Sequence, residues 1–174
     1  TNPQSINMKM HQKERAFHLV KKVGCSEELI LNKSIKLDGA IAIHPGCSDI
    51  KRAWPELYWF ELIKLLSVDH DLSIVKNATS NDLLEKIKSD KINIKIFKGS
   101  LIEFNEWLKT QKLIIAPDSM AGHLAAYNNI PSISIFGSQD PGLTCPTGLK
   151  SKIIKPKTSC FHKKTHWRLC EKCM

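Results

Sequence analysis

Two short runs of this 174-residue chain collect the side chains best suited to holding an anion. The first, His44-Pro45-Gly46-Cys47-Ser48, leads through Lys51 and Arg52 to Trp54-Pro55, and the second is Pro117-Asp118-Ser119-Met120-Ala121-Gly122-His123. Gly46 allows backbone N–H groups to come close to a ligand, Ser48 can donate a hydrogen bond, and Lys51 or Arg52 adds a full positive charge. A helix opening at Pro55 presents its partly positive N-terminus to the same place. This set of groups suits the phosphates of a nucleoside diphosphate.

Asp118 and Ser119 have two readings. Both are good N-caps and so could simply start a helix; both could equally touch a ligand. His123, taken alone, reads as structural, but beside Asp118 and Ser119 at the ligand edge of a sheet it reads as functional. In a third run, Phe136-Gly137-Ser138-Gln139-Asp140-Pro141, Gly137 and Pro141 read as turn-shaping residues.

The elements that must position these runs are legible as six strand-length segments rich in β-branched residues: Ala40 to His44, Leu72 to Lys76, Ile92 to Phe97, Leu113 to Ala116, Ser132 to Phe136, and Lys152 to Lys155. Helical periodicity lies between most of them, over Pro55 to Val68, Asn81 to Ser89, Leu101 to Lys109 and Ser119 to Tyr127. Met10 to Val23 reads as a further amphipathic helix stopped by Gly24. Strands such as Ile41-Ala42-Ile43 are apolar in succession, as expected when helices cover both faces of a parallel sheet. The expectation is a doubly wound α/β, Rossmann-like domain. If the strand order is taken as 3-2-1-4-5-6, the loops after the first and fourth strands diverge and share one crevice, whereas a flavodoxin-like order would separate them.

Composition narrows the function. The chain is 42% hydrophobic and 25% charged, with no apolar run near the roughly 18 residues of a membrane span. Thr1 to Met10 lacks the apolar centre of a secretory signal. The net charge of +9 is concentrated at the end: from Lys150 onward eight Lys or Arg face the single acid Glu171, which leaves +2 for the preceding 149 residues. A basic tail without a reader motif argues against nucleic acid as partner; a solvated extension or peripheral contact with an anionic membrane surface fits it.

The two runs in this order resemble the heptosyltransferase family, glycosyltransferase family 9, whose members build the inner core of lipopolysaccharide from ADP-heptose. The resemblance rests on Pro45-Gly46, Arg52 with Trp54-Pro55, Asp118-Ser119 with His123, Ala125-Ala126, Pro131, and Phe136-Gly137 with Asp140-Pro141. It spans Ile41 to Gly148 and extends toward the helix from Met10. It implies the C-terminal, nucleotide-sugar-binding domain of a GT-B enzyme, with 1–38 as interdomain helix and connector, 39–158 as the Rossmann-like domain and 159–174 as a Cys- and His-rich tail.

The resemblance further implies an inverting, metal-independent transfer to a lipopolysaccharide or other glycan or lipid-linked acceptor, on the cytoplasmic side of the inner membrane. The donor contacts it implies are Gly46, Cys47, Ser48, Lys51, Arg52, Asp118, Ser119, Met120, Ala121, Gly122 and His123, with no metal ligand and no cofactor. The general base is expected on an N-terminal domain outside this chain, which therefore reads as a fragment.

Two departures from the family pattern bear on the donor. Met120 stands where Gly is usual, so any close backbone approach must occur elsewhere, for example at Gly122. Arg52 stands where Lys is common, and Lys51 beside it leaves open which cation meets the phosphates. A non-catalytic binding module of the same fold is the competing reading. In the tail, Cys160, Cys170 and Cys173 with nearby histidines are read as free thiols or an oxidised pair ahead of a zinc site.

Overall fold

A computed structural model describes residues 10–21, 38–78 and 80–156. In chain order the elements are α1 (Gln12–Lys21), β1 (Ile41–Ile43), a 3-10 turn (Ile50–Arg52), α2 (Glu56–Leu66), β2 (Leu72–Val75), α3 (Asn81–Ser89), β3 (Lys95–Phe97) and α4 (Leu101–Leu108). There follow β4 (Leu113–Pro117), α5 (Met120–Tyr127), β5 (Ser132–Ile135), α6 (Pro141–Thr144) and β6 (Ser151–Ile154). The six strands form one sheet in the order β3-β2-β1-β4-β5-β6, and every adjacent pair is parallel. This is the dinucleotide-type order and not the flavodoxin-like one, and β1 and β4 are direct neighbours, Ile41 opposite Leu113 and Ile43 opposite Ile115.

Successive apolar residues in the strands serve two cores. Ile41, Ile43, Leu72 and Ile74 point to one face and meet Trp59 and Ile63 of α2 and Leu83 and Ile87 of α3. Ala42 and Val75, with Ile114 and Ala116, point to the other and meet Phe104 and Leu108 of α4 and Ala121 and Ala125 of α5. Each fully buried side chain of this size contributes roughly 1.5–3 kcal/mol, which holds the helices to the sheet. Small residues at Ala121 and Ala125 keep α5 close to the strands.

Local chemistry sets the helix ends. Ser100 and Glu103 form a capping box at the start of α4: Glu103 N–H donates to Ser100 Oγ at 3.3 Å, and Ser100 N–H donates to Glu103 Oε2 at 2.7 Å. α5 ends at Asn128, and Asn129 takes a left-handed conformation (φ 57°) that few residues other than Gly and Asn tolerate. The Asn128 side chain is fully buried and donates to Asn105 Oδ1 at 2.7 Å and to the Leu124 carbonyl at 2.9 Å, tying α5 to α4.

Two elements differ from the sequence reading. The strand expected over Ile92 to Phe97 begins only at Lys95, because Lys91 turns left-handed (φ 56°) and Ile92 N–H is taken by the Ile87 carbonyl at the end of α3. Pro141, read as turn-shaping, opens the short helix α6, with Asp140 Oδ1 accepting from Gly142 N–H at 2.9 Å. Within the expected Met10 to Val23, α1 occupies Gln12–Lys21; the expected stop at Val23 and Gly24 falls outside the described residues, as do Cys160, Cys170 and Cys173. Among the described residues, no helix is long and apolar enough to cross a membrane and no group of three or more His, Cys, Asp or Glu could hold a metal ion.

Candidate functional site

At the C-terminal edge of the sheet, the loops after β1, β2 and β4 surround a cavity of about 430 Å³. The β1 loop supplies His44, Gly46, Cys47, Ser48 and Arg52; the β2 loop supplies Asn77 and Ala78; the β4 loop supplies Ser119 and Met120. This is the crevice that the strand order dictates, since helices leave β1 and β4 on opposite faces. A second cavity of about 570 Å³, lined by Ile50, Trp54 and Trp59 among others, adjoins it across Cys47 and Ser48.

Arg52 is the cation of the cavity. Its Nη2 donates to Ser48 Oγ at 2.6 Å, and its Nη1 donates to the Asp118 carbonyl at 3.2 Å and lies 3.5 Å from Asp118 Oδ2. The planar fork of the guanidinium thus bridges the β1 and β4 loops, a geometry that a lysine ammonium cannot reproduce. Lys51, the alternative cation, does not line the cavity. Its backbone is what matters: its N–H donates to Asp49 Oδ1 at 3.0 Å and its carbonyl accepts from Ser138 Oγ at 2.7 Å.

Asp118 sits behind the cavity wall with its side chain 6% exposed. Burial pushes its carboxyl pKa up, against the opposing pull of Arg52 and, more weakly, of His123. Ser119 holds the N-cap position of α5 in extended conformation but forms no side-chain cap, and its buried Oγ finds no hydrogen-bond partner among the described residues. The first-turn N–H groups of α5 consequently lack the usual cap at the edge of the cavity. Met120, 45% exposed, projects beside them.

Other expected contacts lie elsewhere. The side of α5 that carries Ala121 and Gly122 is buried against the sheet. A Cβ at Gly122 would stand 2.7 Å from Ser134 Oγ and 2.8 Å from Pro146 Cγ, so this glycine permits close packing against β5 and does not open a path to the cavity. Gly46 differs: a Cβ there would meet only the amide end of the Asn77 side chain, which would have to move. His123 is exposed and outside the cavity lining. Desolvation lowers its pKa, Asp118 raises it and His11 lowers it further.

The Cys47 thiol is pushed up in pKa by burial and donates to the Asp49 carbonyl at 3.0 Å, which suits a protonated, unreactive wall residue. His44, whose pKa is lowered by desolvation, packs its ring against Phe104 at 5.7 Å between centroids. Asn77 and Ala78 were not among the candidates read from the sequence, and His44, which opens the first run, was not among the expected donor contacts. Asn77 follows β2 at the same sheet edge as the chosen loops, so position alone could have found it.

The family model of glycosyltransferase family 9 (heptosyltransferase) matches residues 2–172. The chain belongs to that family. Lipopolysaccharide heptosyltransferase 1 of Pseudomonas aeruginosa is 27% identical to this heptosyltransferase-family chain over 103 residues, covering 57% of the chain and 29% of the relative. Among solved structures, E. coli heptosyltransferase WaaC with ADP superposes with a TM-score of 0.70 at 23% identity, covering 90% of this chain and 54% of the other. E. coli ADP-heptose lipopolysaccharide heptosyltransferase II gives 0.61 at 20% identity, with coverages of 91% and 48%. At these identities the superpositions establish the Rossmann-like α/β fold. The family chain spans about half the length of these two structures and less than a third of the curated relative.

Proposed function

We propose that this chain is the donor-binding domain of an inverting glycosyltransferase, holding a nucleoside diphosphate sugar of the ADP-heptose kind in the cavity between the β1 and β4 loops. The observation that carries the reading is Arg52, whose guanidinium bridges Ser48 and Asp118 beside the uncapped first turn of α5. A diphosphate leaving group gains charge as the glycosidic C–O bond breaks, and fixed donors of this kind stabilise it without rearranging. Ser48 Oγ and the α5 N–H groups add neutral donors to the one full charge. The WaaC structure that shares the fold was determined with ADP, which supports a nucleotide at this sheet edge.

In the proposed transfer an acceptor hydroxyl, on lipopolysaccharide or another glycan or lipid-linked acceptor, attacks the anomeric carbon from the face opposite the diphosphate. Its proton passes to a base on a second Rossmann-like domain. Positive charge from Arg52 and the α5 N-terminus takes the role a metal ion fills in other transferases, and the reaction would proceed at the cytoplasmic face of the inner membrane.

Calorimetry with ADP, UDP and GDP tests the reading. One of the three is expected to bind with micromolar to millimolar affinity and to shift amide NMR signals at Gly46, Arg52, Ser119 and His123. Silence with all three nucleotides, or shifts confined to the residues after Lys150, would overturn it.

A further inference from the structure

The run from Phe136 to Pro141 contributes no lining residue to the 430 Å³ cavity, yet one of its side chains reaches the element that carries Arg52. Ser138 is 2% exposed and its hydroxyl donates to the Lys51 carbonyl at 2.7 Å, across 87 residues of sequence. That carbonyl belongs to the peptide group joining Lys51 to Arg52, so its direction fixes the plane from which the Arg52 side chain departs. The other side of Lys51 is fixed as well: its N–H donates to Asp49 Oδ1, and Arg52 N–H donates to the Asp49 carbonyl at 2.9 Å.

A three-residue 3-10 turn with no buried residue of its own has little packing to hold it in place. Ser138 supplies a tertiary anchor, and supplies it from the C-terminal end of β5, the strand next to β4.

We propose that Ser138 is a positioning residue for Arg52, acting through the Lys51 carbonyl to aim the guanidinium at the phosphates of a bound nucleoside diphosphate. The proposal rests on the donor-binding reading above and adds the β5 loop to its machinery. Ser138 touches no ligand; its effect on binding passes through Arg52.

A double-mutant cycle on this chain separates that route from general loosening. Calorimetry is run with whichever of ADP, UDP or GDP the unaltered chain binds tightest; binding of none defeats the donor-binding reading itself. Ser138→Ala is expected to weaken binding about threefold to tenfold, the loss of one neutral hydrogen bond, and to cause no further weakening in an Arg52→Ala background. Should Ser138→Ala fail to fold, Ser138→Cys fills the site with a slightly larger group that is only a weak donor and is expected to show the same pattern. Unchanged affinity in the folded variant, or an equal loss with and without Arg52, overturns the positioning role while leaving nucleotide binding intact.

Discussion

Arg52 and Asp118 are separated by 66 positions in the chain and by 3.5 Å in space, Nη1 to Oδ2. The pair joins the two loops that the β1–β4 adjacency brings together, and it leaves Arg52 with the only guanidinium lining the cavity among the described residues. Removing the arginine therefore has two consequences. Arg52→Ala is expected to lower nucleoside diphosphate affinity by at least about tenfold, the scale of a charge-assisted hydrogen bond, and to lower the unfolding free energy by roughly 1–3 kcal/mol because Asp118 loses its buried partner. Arg52→Lys is expected to fall between the two, since one ammonium cannot span Ser48 and Asp118. Calorimetry and denaturant melts read the two effects separately.

Gly46 and Gly122 part company under the same substitution. Gly122→Ala meets Ser134 Oγ and Pro146 Cγ inside the packed layer, so a stability loss of about 1–3 kcal/mol is expected with little change in nucleotide affinity per folded molecule. Gly46→Ala meets only the amide end of Asn77, which can swing aside, but Asn77 lines the cavity. Weaker nucleotide binding at nearly unchanged stability is the expected result. Parallel melts and titrations of both variants decide it.

Met120 sets the shape of the cavity at the start of α5. Met120→Gly removes an apolar side chain that is 45% exposed and costs the helix up to about 1 kcal/mol. The spread in affinity among ADP, UDP and GDP is expected to narrow by about threefold or more, because less of the wall remains to discriminate between bases or sugars. An unaltered ranking and spread in calorimetry would remove Met120 from the specificity account.

Stability depends on pH with a sign set by burial. Desolvation lowers the pKa of His44 and of His123 below the ordinary value of 6.5, so the folded state binds fewer protons than the unfolded one. Their stabilising contribution is complete above that value and is lost as pH falls through it toward the lower native pKa values. Asp118 works in the opposite sense: its pKa is raised from 3.8, so stability is lost as pH rises through that acidic window. Thermal melts are expected to show falling midpoints between about pH 7 and pH 5, and His44→Phe, which keeps a ring beside Phe104, is expected to flatten part of that fall. A midpoint that rises over this range contradicts the assignment.

The parallel, doubly covered sheet was legible because apolar runs such as Ile41-Ala42-Ile43 belong to strands with helices on both faces; the order of the strands was an assumption, since a flavodoxin-like order fits the same alternation. Legible too were the loops after β1 and β4, since Gly46, Ser48, Arg52 and Ser119 are types whose chemistry is visible without coordinates. Direction was not. The small types Ala121 and Gly122 suggest close packing on the sheet, but they do not tell where His123 points; packing of α5 against β5 decides it by turning Gly122 inward and leaving His123 to solvent. Lys51 and Arg52 were equal on paper; the 3-10 turn distinguishes them by sending one side chain to the cavity and enlisting the other's backbone.

Asn128 closes the far end of α5, where its buried amide grips Asn105 of α4. An eight-residue helix is only about 12 Å long, so fixing one tip fixes the other. The N–H groups at the cleft thereby share the rigidity of an amide pair at the opposite end of the rod. Changes to Asn105 or Asn128, neither of which lines the cavity, are therefore expected to be felt at the cleft as a pivot is felt at the end of an arm.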